Sequence, residues 1–69
     1  MKVSTKLDHL LDAKNMSRRE LARLTETRPQ TINDIANNEI KRLPLDVLGK
    51  ICEVLSCEIT DVIELVPDK

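Results

Sequence analysis

The sequence predicts an all-α domain of five helices, and three observations support this prediction. Apolar residues recur every three or four positions along most of the chain, which is the period of an amphipathic helix. No long segment alternates apolar and polar residues, and no Asn-Gly or Asp-Gly turn joins two extended runs. Residues that favour helix starts and stops fall between the periodic segments. We therefore expect one domain over residues 1–69, with helices at about 5–14, 17–24, 29–37, 44–55 and 58–65.

The first predicted helix has one apolar side and a defined end. Leu7, Leu10 and Leu11 fall on the same side of a helix at this spacing. Asp8 lies in the first turn, where the positive end of the helix dipole favours a carboxylate. Asn15 follows the last periodic residue and tolerates the left-handed conformation that ends many helices.

The second predicted helix opens with a capping signal. Ser17 can accept a hydrogen bond from the amide at the third helical position, and Glu20 can reach back to the cap amide. Leu21, Ala22 and Leu24 form the predicted buried stripe. Because Ala22 is the small residue of that stripe, we expect another helix to approach closely there.

The third predicted helix is polar outside one narrow apolar stripe. Pro29 suits the first helical position, since its missing amide would be unpaired there, and it favours an extended Arg28 at the cap. Ile32 and Ile35 are the apolar anchors, and Asn38 is expected just beyond the helix end. The other positions carry hydrogen-bonding side chains, namely Gln30, Thr31, Asn33, Asp34 and Asn37.

Two further helices complete the predicted core. The fourth has a stripe that contains Leu48, Ile51 and Leu55, and the short fifth helix turns Ile59, Val62 and Ile63 inward. A proline then ends the fifth helix.

The composition excludes several classes of function. Phe, Tyr and Trp are absent, which excludes the aromatic base-stacking surfaces of single-strand binders and RNA-binding sheets. One glycine cannot form a phosphate loop or a dinucleotide-binding fingerprint. A single histidine without a nucleophile and acid set argues against an enzyme. We therefore expect no catalysis, no cofactor and no small-molecule ligand.

The two cysteines, Cys52 and Cys57, are interpreted as reduced thiols of a cytoplasmic protein. A zinc site needs four ligands, and the one histidine, His9, is distant in sequence, so no metal is expected. Their spacing on or beside a helix does not favour a disulfide. The sequence contains no apolar run long enough for a membrane span and no secretory pattern at its first residues.

The charge is divided unevenly along the chain. Residues 1–42 contain nine Lys or Arg and six acids, a net charge of +3, whereas residues 43–69 contain two Lys and six acids, a net charge of −4. The overall charge of −1 therefore hides a basic half that contains the second and third helices. Such a distribution favours a nucleic-acid surface on that half.

The second helix, a three-residue turn and the third helix are spaced as a helix-turn-helix motif requires. Over residues 5–65 the sequence resembles the lambda-repressor-like family, the Cro and phage-repressor or XRE type, and within it the small bacterial single-domain regulators. The resemblance implies five helices, sequence-specific operator binding and a homodimer. It departs from the family pattern at Glu26, where glycine is usual, and at Arg28, where the usual cap is Ser or Thr. The matching positions are Leu21, Ala22, Thr31, Ile32, Ile35, Leu48, Ile51, Leu55, Asp61, Val62 and Ile63.

Five residues, the cap of the third helix and four residues within it, are predicted to contact bases in the major groove. Gln30 and Asn33 suit bidentate contact with adenine, and Arg28 suits guanine or a phosphate. Thr31 can touch a thymine methyl group or a phosphate. Asp34 can accept a hydrogen bond from cytosine, or it can form a structural pair with Arg28 or Arg23.

Phosphate contacts are predicted around this helix, and the alternative is that these polar side chains are simply solvated. Asn37 can bind phosphate or merely belong to the helix end. A homodimer is expected through apolar residues that a small core does not need, Val54, Leu65 and Val66, although incidental exposure is the alternative. The predicted phosphate-binding residues are Arg18, Arg19, Asn37, Lys41 and Arg42.

Double-stranded operator DNA is the partner that this pattern favours. The predicted function is a DNA-binding transcription regulator that acts as a repressor, with helix 29–37 in the major groove. The alternative is a protein-interaction module, such as an antitoxin or a helix-turn-helix scaffold without DNA readout. The polar outer face of the third helix favours DNA, because a protein partner would need aromatic or aliphatic anchors.

Overall fold

A computed structural model describes residues 1–67, so the last two residues of the predicted domain, 68 and 69, lie outside it. The described chain forms five helices and one two-stranded sheet. Its elements, in chain order, are β1 (Lys2–Thr5), α1 (Leu7–Ala13), α2 (Arg18–Leu24), α3 (Pro29–Ala36), α4 (Leu45–Leu55), α5 (Ile59–Val62) and β2 (Ile63–Val66).

The prediction of an all-α fold is wrong at the two ends of the chain. β1 and β2 pair antiparallel, with Lys2 opposite Val66 and Thr5 opposite Ile63. The predicted helix 5–14 therefore begins only at Leu7, since Thr5 belongs to β1. The predicted helix 58–65 ends at Val62, after which the chain is extended. Each strand has only four residues, which is too short for an alternating pattern to be recognised.

Left-handed residues follow four of the helices, which explains why these helices end close to where the sequence predicts. Asn15, Glu26, Asn38 and Ser56 have φ of 56°, 54°, 61° and 52° and follow α1, α2, α3 and α4. At the start of α2, Ser17 Oγ accepts the Glu20 amide at 3.0 Å, as the capping signal predicts. The reciprocal half of the predicted capping box is replaced, because the Glu20 carboxylate binds Arg23 at 2.5 Å.

The core lies between the helices and extends to the last turn of α5. Ala22 is buried, which allows the close packing of helices that the sequence predicts, whereas Leu24 is 41% exposed and does not belong to the buried stripe. Ile63 is half-buried and packs against the core from β2, so its inward position comes from a strand and not from a helix. The prediction that Ile59 faces inward is wrong, because its place in the first turn of α5 leaves it 54% exposed. The buried apolar residues are Leu7, Leu11, Leu21, Ala22, Ile32, Ile35, Leu48, Ile51, Leu55 and Val62.

Candidate nucleic-acid interface

The turn between α2 and α3 is held by backbone and hydroxyl hydrogen bonds. Thr25 is buried, and its Oγ1 donates to Leu21 O at 2.8 Å. Thr27 N donates to Ala22 O at 2.9 Å, and Glu26 between them has φ of 54°. Glu26 therefore adopts the left-handed conformation that the glycine of the usual family pattern would favour, at a steric cost of about 1–2 kcal/mol.

α3 has one fully buried side and one polar side. Ile32 and Ile35 have no exposed surface and fix the helix against the core. Arg28, extended at φ −63° and ψ 137°, caps the helix, and Pro29 is its first residue, as predicted. The polar residues therefore lie on the surface that the core does not cover, where a major groove could reach them.

Two predicted base-contacting residues are bound to each other on that surface. Gln30 Nε2 donates to Asp34 Oδ1 at 2.8 Å, one helical turn along α3. The expected structural partners of Asp34 do not bind it, because Arg23 binds Glu20 and Arg28 forms no salt bridge with any residue among 1–67. Gln30 keeps its Oε1 and a second N–H for other partners, so the pair orients the amide without using it up.

Arg18 joins three helices through its guanidinium group. It forms two hydrogen bonds to the Asp8 carboxylate on α1, at 3.0 Å and 2.8 Å. It also donates to Asn33 Oδ1 at 3.3 Å, on α3, and to Asn37 Oδ1 at 3.1 Å, at the C-cap of α3. The hydrogen bond from Arg18 lowers the pKa of Asp8 below its ordinary value of 3.8. Asp8 is the interface residue that the sequence prediction missed; its only signal was a carboxylate in a first turn.

This network changes how two predicted contacts are interpreted. Arg18 was predicted to clamp a phosphate and Asn33 to read a base, yet the structure brings them together with Asn37 inside the protein's own hydrogen bonds. The Arg18 side chain remains 32% exposed. It holds the side of α3 that carries Asn33 and Asn37 against α1 and α2.

Four cations of α2, the start of α3 and the loop after it lie on the surface. They are exposed, and none of them forms a salt bridge within residues 1–67. Arg28 lies at the start of the helix, and Lys41 and Arg42 lie in the loop that follows it. Such a set can neutralise backbone phosphates on both sides of a groove. The four are Arg19, Arg28, Lys41 and Arg42.

The end of α3 is also tied to the sheet. Thr5 N donates to Asn38 Oδ1 at 2.7 Å, and Asn38 Nδ2 donates to Thr5 O at 3.4 Å. The Thr5 hydroxyl donates to Ile35 O in the last turn of the helix. The Asn38 side chain therefore binds the backbone N–H and C=O of Thr5, as a neighbouring strand would. These hydrogen bonds link the end of α3 to β1.

The predicted dimer residues lie on two elements, Val54 on α4 and the other two, Leu65 and Val66, on β2. Val54 and Val66 are half-buried, and Leu65 is 63% exposed. Leu65 and Val66 were expected on or beside a fifth helix, and the strand changes the surface that they present.

The two cysteines lie together where α4 ends. Both are free and half-buried, and Cys57 N donates to Cys52 O at 3.0 Å. Burial raises the pKa of the Cys57 thiol, and the neighbouring Cys52 adds to this effect. The Cys57 thiol is therefore mainly protonated at neutral pH.

A match to a protein-family model identifies the family of this chain. The model for the Cro/C1-type HTH DNA-binding domain covers residues 6–68. The chain belongs to this family. No curated protein matches the chain at a level that indicates relationship.

Membership of the Cro/C1-type family confirms the resemblance seen in the sequence and identifies α2 and α3 as the helix-turn-helix of a DNA-binding domain. Among the residues that the structure describes, no group of three or more His, Cys, Asp or Glu side chains is arranged to hold a metal. Within residues 1–67, no helix has the length and apolarity needed to cross a membrane.

Proposed function

We propose that residues 1–69 act as one sequence-specific regulator of transcription, a repressor, with helix 29–37 in the major groove of double-stranded DNA. The observation that carries the proposal is the division of α3 into a buried aliphatic side and an uncovered polar side. Repression requires only that the domain occupies its DNA site. A bacterial cytoplasmic protein without catalytic activity fits this role.

The proposed base readout uses Arg28, Gln30, Thr31, Asn33 and Asp34. Gln30 is the strongest of these, because Asp34 already holds one of its N–H groups and leaves a donor and an acceptor for adenine. Asn33 reaches a base only if it releases or shares the hydrogen bond from Arg18.

The proposed phosphate contacts are Arg18, Arg19, Asn37, Lys41 and Arg42. Arg19, Lys41 and Arg42 support this part best, since they are exposed and unpaired within the described chain. Arg18 and Asn37 contribute by holding α3 as well as through any phosphate that they reach. A homodimer that uses Val54, Leu65 and Val66 would read two half-sites about 34 Å apart.

Selection of bound duplexes from a random pool tests this function. A single consensus, bound more weakly as salt rises, is the expected result. Gln30→Ala should then reduce discrimination between the consensus and a scrambled duplex by roughly 1–3 kcal/mol. The matched variant Arg42→Ala should weaken both duplexes alike and flatten the salt dependence. Absence of any consensus would instead favour a module that binds a protein.

A further inference from the structure

Within residues 1–67, the helices α1 to α4 end in the same backbone arrangement. A left-handed residue follows each of them, and the next amide donates to a carbonyl five residues earlier. At α4, Cys57 N donates to Cys52 O at 3.0 Å, and Ser56 N donates to Glu53 O at 3.3 Å. These two hydrogen bonds form a Schellman motif, which brings the side chains at its two ends side by side.

The side chains at the two ends differ from one motif to the next. The first motif joins two apolar residues, the second joins two small residues, and the third joins two acids. Of these four motifs, only the one after α4 pairs groups that can form a covalent bond with each other. From α1 to α4, the pairs are Leu11 and Met16, Ala22 and Thr27, Asp34 and Glu39, and Cys52 and Cys57.

The reversal of the chain at Ser56 brings the two cysteines together. On an uninterrupted helix, residues five apart point about 140° away from each other, which is why their spacing does not favour a disulfide. Ser56 instead has φ of 52° and ends α4, so Cys57 lies beyond the helix. A side-chain hydrogen bond between the two thiols contributes to the raised pKa of Cys57, which places their sulfur atoms in contact.

Cys57 also lies where three helices meet. Both cysteines pack against the core, and the charges of Lys14 at the end of α1 and Asp61 in α5 act on the Cys57 thiol. Residues 58–66 follow directly and contain α5 and β2. This segment supplies the buried Val62 and the strand that pairs with β1. A covalent bond between the cysteines would therefore fasten the start of segment 58–66 to α4.

We propose that Cys52 and Cys57 form a reversible disulfide by exchange with a small-molecule disulfide, and that this bond fastens segment 58–66 to the end of α4. The proposal goes beyond the proposed DNA-binding function and does not depend on it. Disulfides in reducing compartments are usually transient ones of this kind.

The exchange consists of two steps. In the first, the thiolate of one cysteine attacks a sulfur of the small disulfide, whose S–S bond breaks, so that a mixed disulfide forms and a small thiolate leaves. In the second, the other cysteine attacks the protein sulfur of the mixed disulfide, and a second small thiolate leaves. The protein dithiol loses two electrons and two protons, and the small disulfide gains them as two thiols.

The raised pKa of Cys57 affects the speed of this exchange. Since only the thiolate is a nucleophile, a thiol that is mainly protonated reacts slowly at neutral pH. The position of the equilibrium depends instead on how closely the fold holds the two thiols. The equilibrium is therefore the quantity to measure.

Equilibration of the folded protein with mixtures of reduced and oxidised glutathione tests the proposal. Acid quenching and mass spectrometry give the ratio of disulfide to dithiol, and hence the effective concentration of one thiol at the other. The matched control combines Cys52→Ser with Glu53→Cys, which moves the first thiol by one position to an exposed site on α4. The effective concentration should be at least tenfold higher in the unchanged chain than in this control.

Unfolding in urea should remove this advantage, because the spacing along the chain alone then brings the thiols together. For the unchanged chain, the effective concentration should fall at least tenfold on unfolding. By linkage, the disulfide then stabilises the folded protein by about 1.4 kcal/mol. The oxidised chain should accordingly unfold at higher urea than the reduced chain.

Equal effective concentrations in the folded unchanged chain and the control would overturn the proposal. Accumulation of a mixed disulfide with glutathione, or of linked dimers in place of the bond within one chain, would also overturn it. Circular dichroism of the control establishes that its helices are intact.

Phenylarsine oxide supplies a second test that needs no new cysteine. Its arsenic bonds two adjacent thiols and releases one water. The folded unchanged chain should bind one equivalent, and either Cys52→Ser or Cys57→Ser should weaken this binding at least tenfold. Equal binding by the unchanged chain and either serine variant would contradict the contact between the two thiols.

Discussion

Two regions of this domain differ in surface chemistry: the region around α3, called the α3 end, and the β1–β2 sheet, called the sheet end. At α3, both large aliphatic side chains are buried and the uncovered positions are polar or charged. At the sheet, Val3 and Leu65 leave 59% and 63% of their surface exposed. The two ends therefore suit different partners. Base edges and phosphates require hydrogen-bonding groups, whereas a protein interface requires apolar contact area.

The largest expected effect is a difference in the free energy of unfolding between substitutions at the α3 end and at the sheet end. Ile32→Ala should lower the free energy of unfolding by about 2–5 kcal/mol, because it leaves a cavity under the recognition helix. Leu65→Ala should change it by no more than about 0.5 kcal/mol at protein concentrations where the chain is monomeric. Urea titration of both variants measures the contrast. Similar losses would mean that the sheet end belongs to the core.

A smaller effect is expected where the two ends join, at Asn38. Asn38→Ala should cost at most about 1–2 kcal/mol because alanine tolerates the left-handed conformation less well than asparagine, and about 1 kcal/mol more for the lost hydrogen bonds to Thr5. Asn38→Gly keeps the backbone conformation and should lose only the second part. Thermal unfolding compares the two variants, and amide exchange at Thr5 should accelerate in both. Protection of Thr5 in either variant would contradict the link.

The N-cap of α2 should contribute about 1 kcal/mol to the free energy of unfolding. It stabilises the helix against which α3 packs. Ser17→Ala removes the acceptor for the Glu20 amide, so the first turn of the helix loses a hydrogen bond. Chemical denaturation gives the loss, and Ser4→Ala in β1 serves as the matched serine control. A larger effect in the strand variant would reverse the expected order.

The smallest expected effect is the pH dependence of the Asp8–Arg18 pair. Because folding lowers the pKa of Asp8, its contribution is present above the unfolded pKa and is lost as the pH falls through the lower folded value. The stability difference between the native chain and Asp8→Asn should therefore be largest near neutral pH, begin to fall near the unfolded pKa of 3.8 and disappear only below the lower folded pKa. Unfolding curves over that range measure it. A difference that does not change with pH would assign it to packing. The pair is largely exposed, so the effect is small.

Much of the α3 end could be predicted from the sequence, because its signals are local. Ser17, Pro29 and Asn38 act within a few residues of their own positions and mark helix ends directly. Ile32 and Ile35 lie at helical spacing, so their burial followed from the periodicity. The turn was less predictable, since Glu26 occupies a left-handed position that its residue type does not favour.

The hydrogen-bonding partners within the candidate interface could not be predicted in the same way. Arg18 was recognised as a cation, but its links to Asp8, Asn33 and Asn37 require three helices to come together. Asp34 was expected beside an arginine and instead accepts from Gln30, although that spacing along a helix is itself a local signal.

The family could be inferred from the resemblance of the sequence, and the helix-turn-helix and the apolar anchors of α3 could be predicted because caps and periodicity depend on neighbouring residues. That β1 and β2 are strands could be seen only in the tertiary structure. β1 and β2 lie about sixty positions apart in the chain, and each is extended because it hydrogen-bonds to the other. Pairing over such a separation is a property of the folded molecule, and it gives the domain the sheet edge at Leu65 that the sequence assigned to a helix.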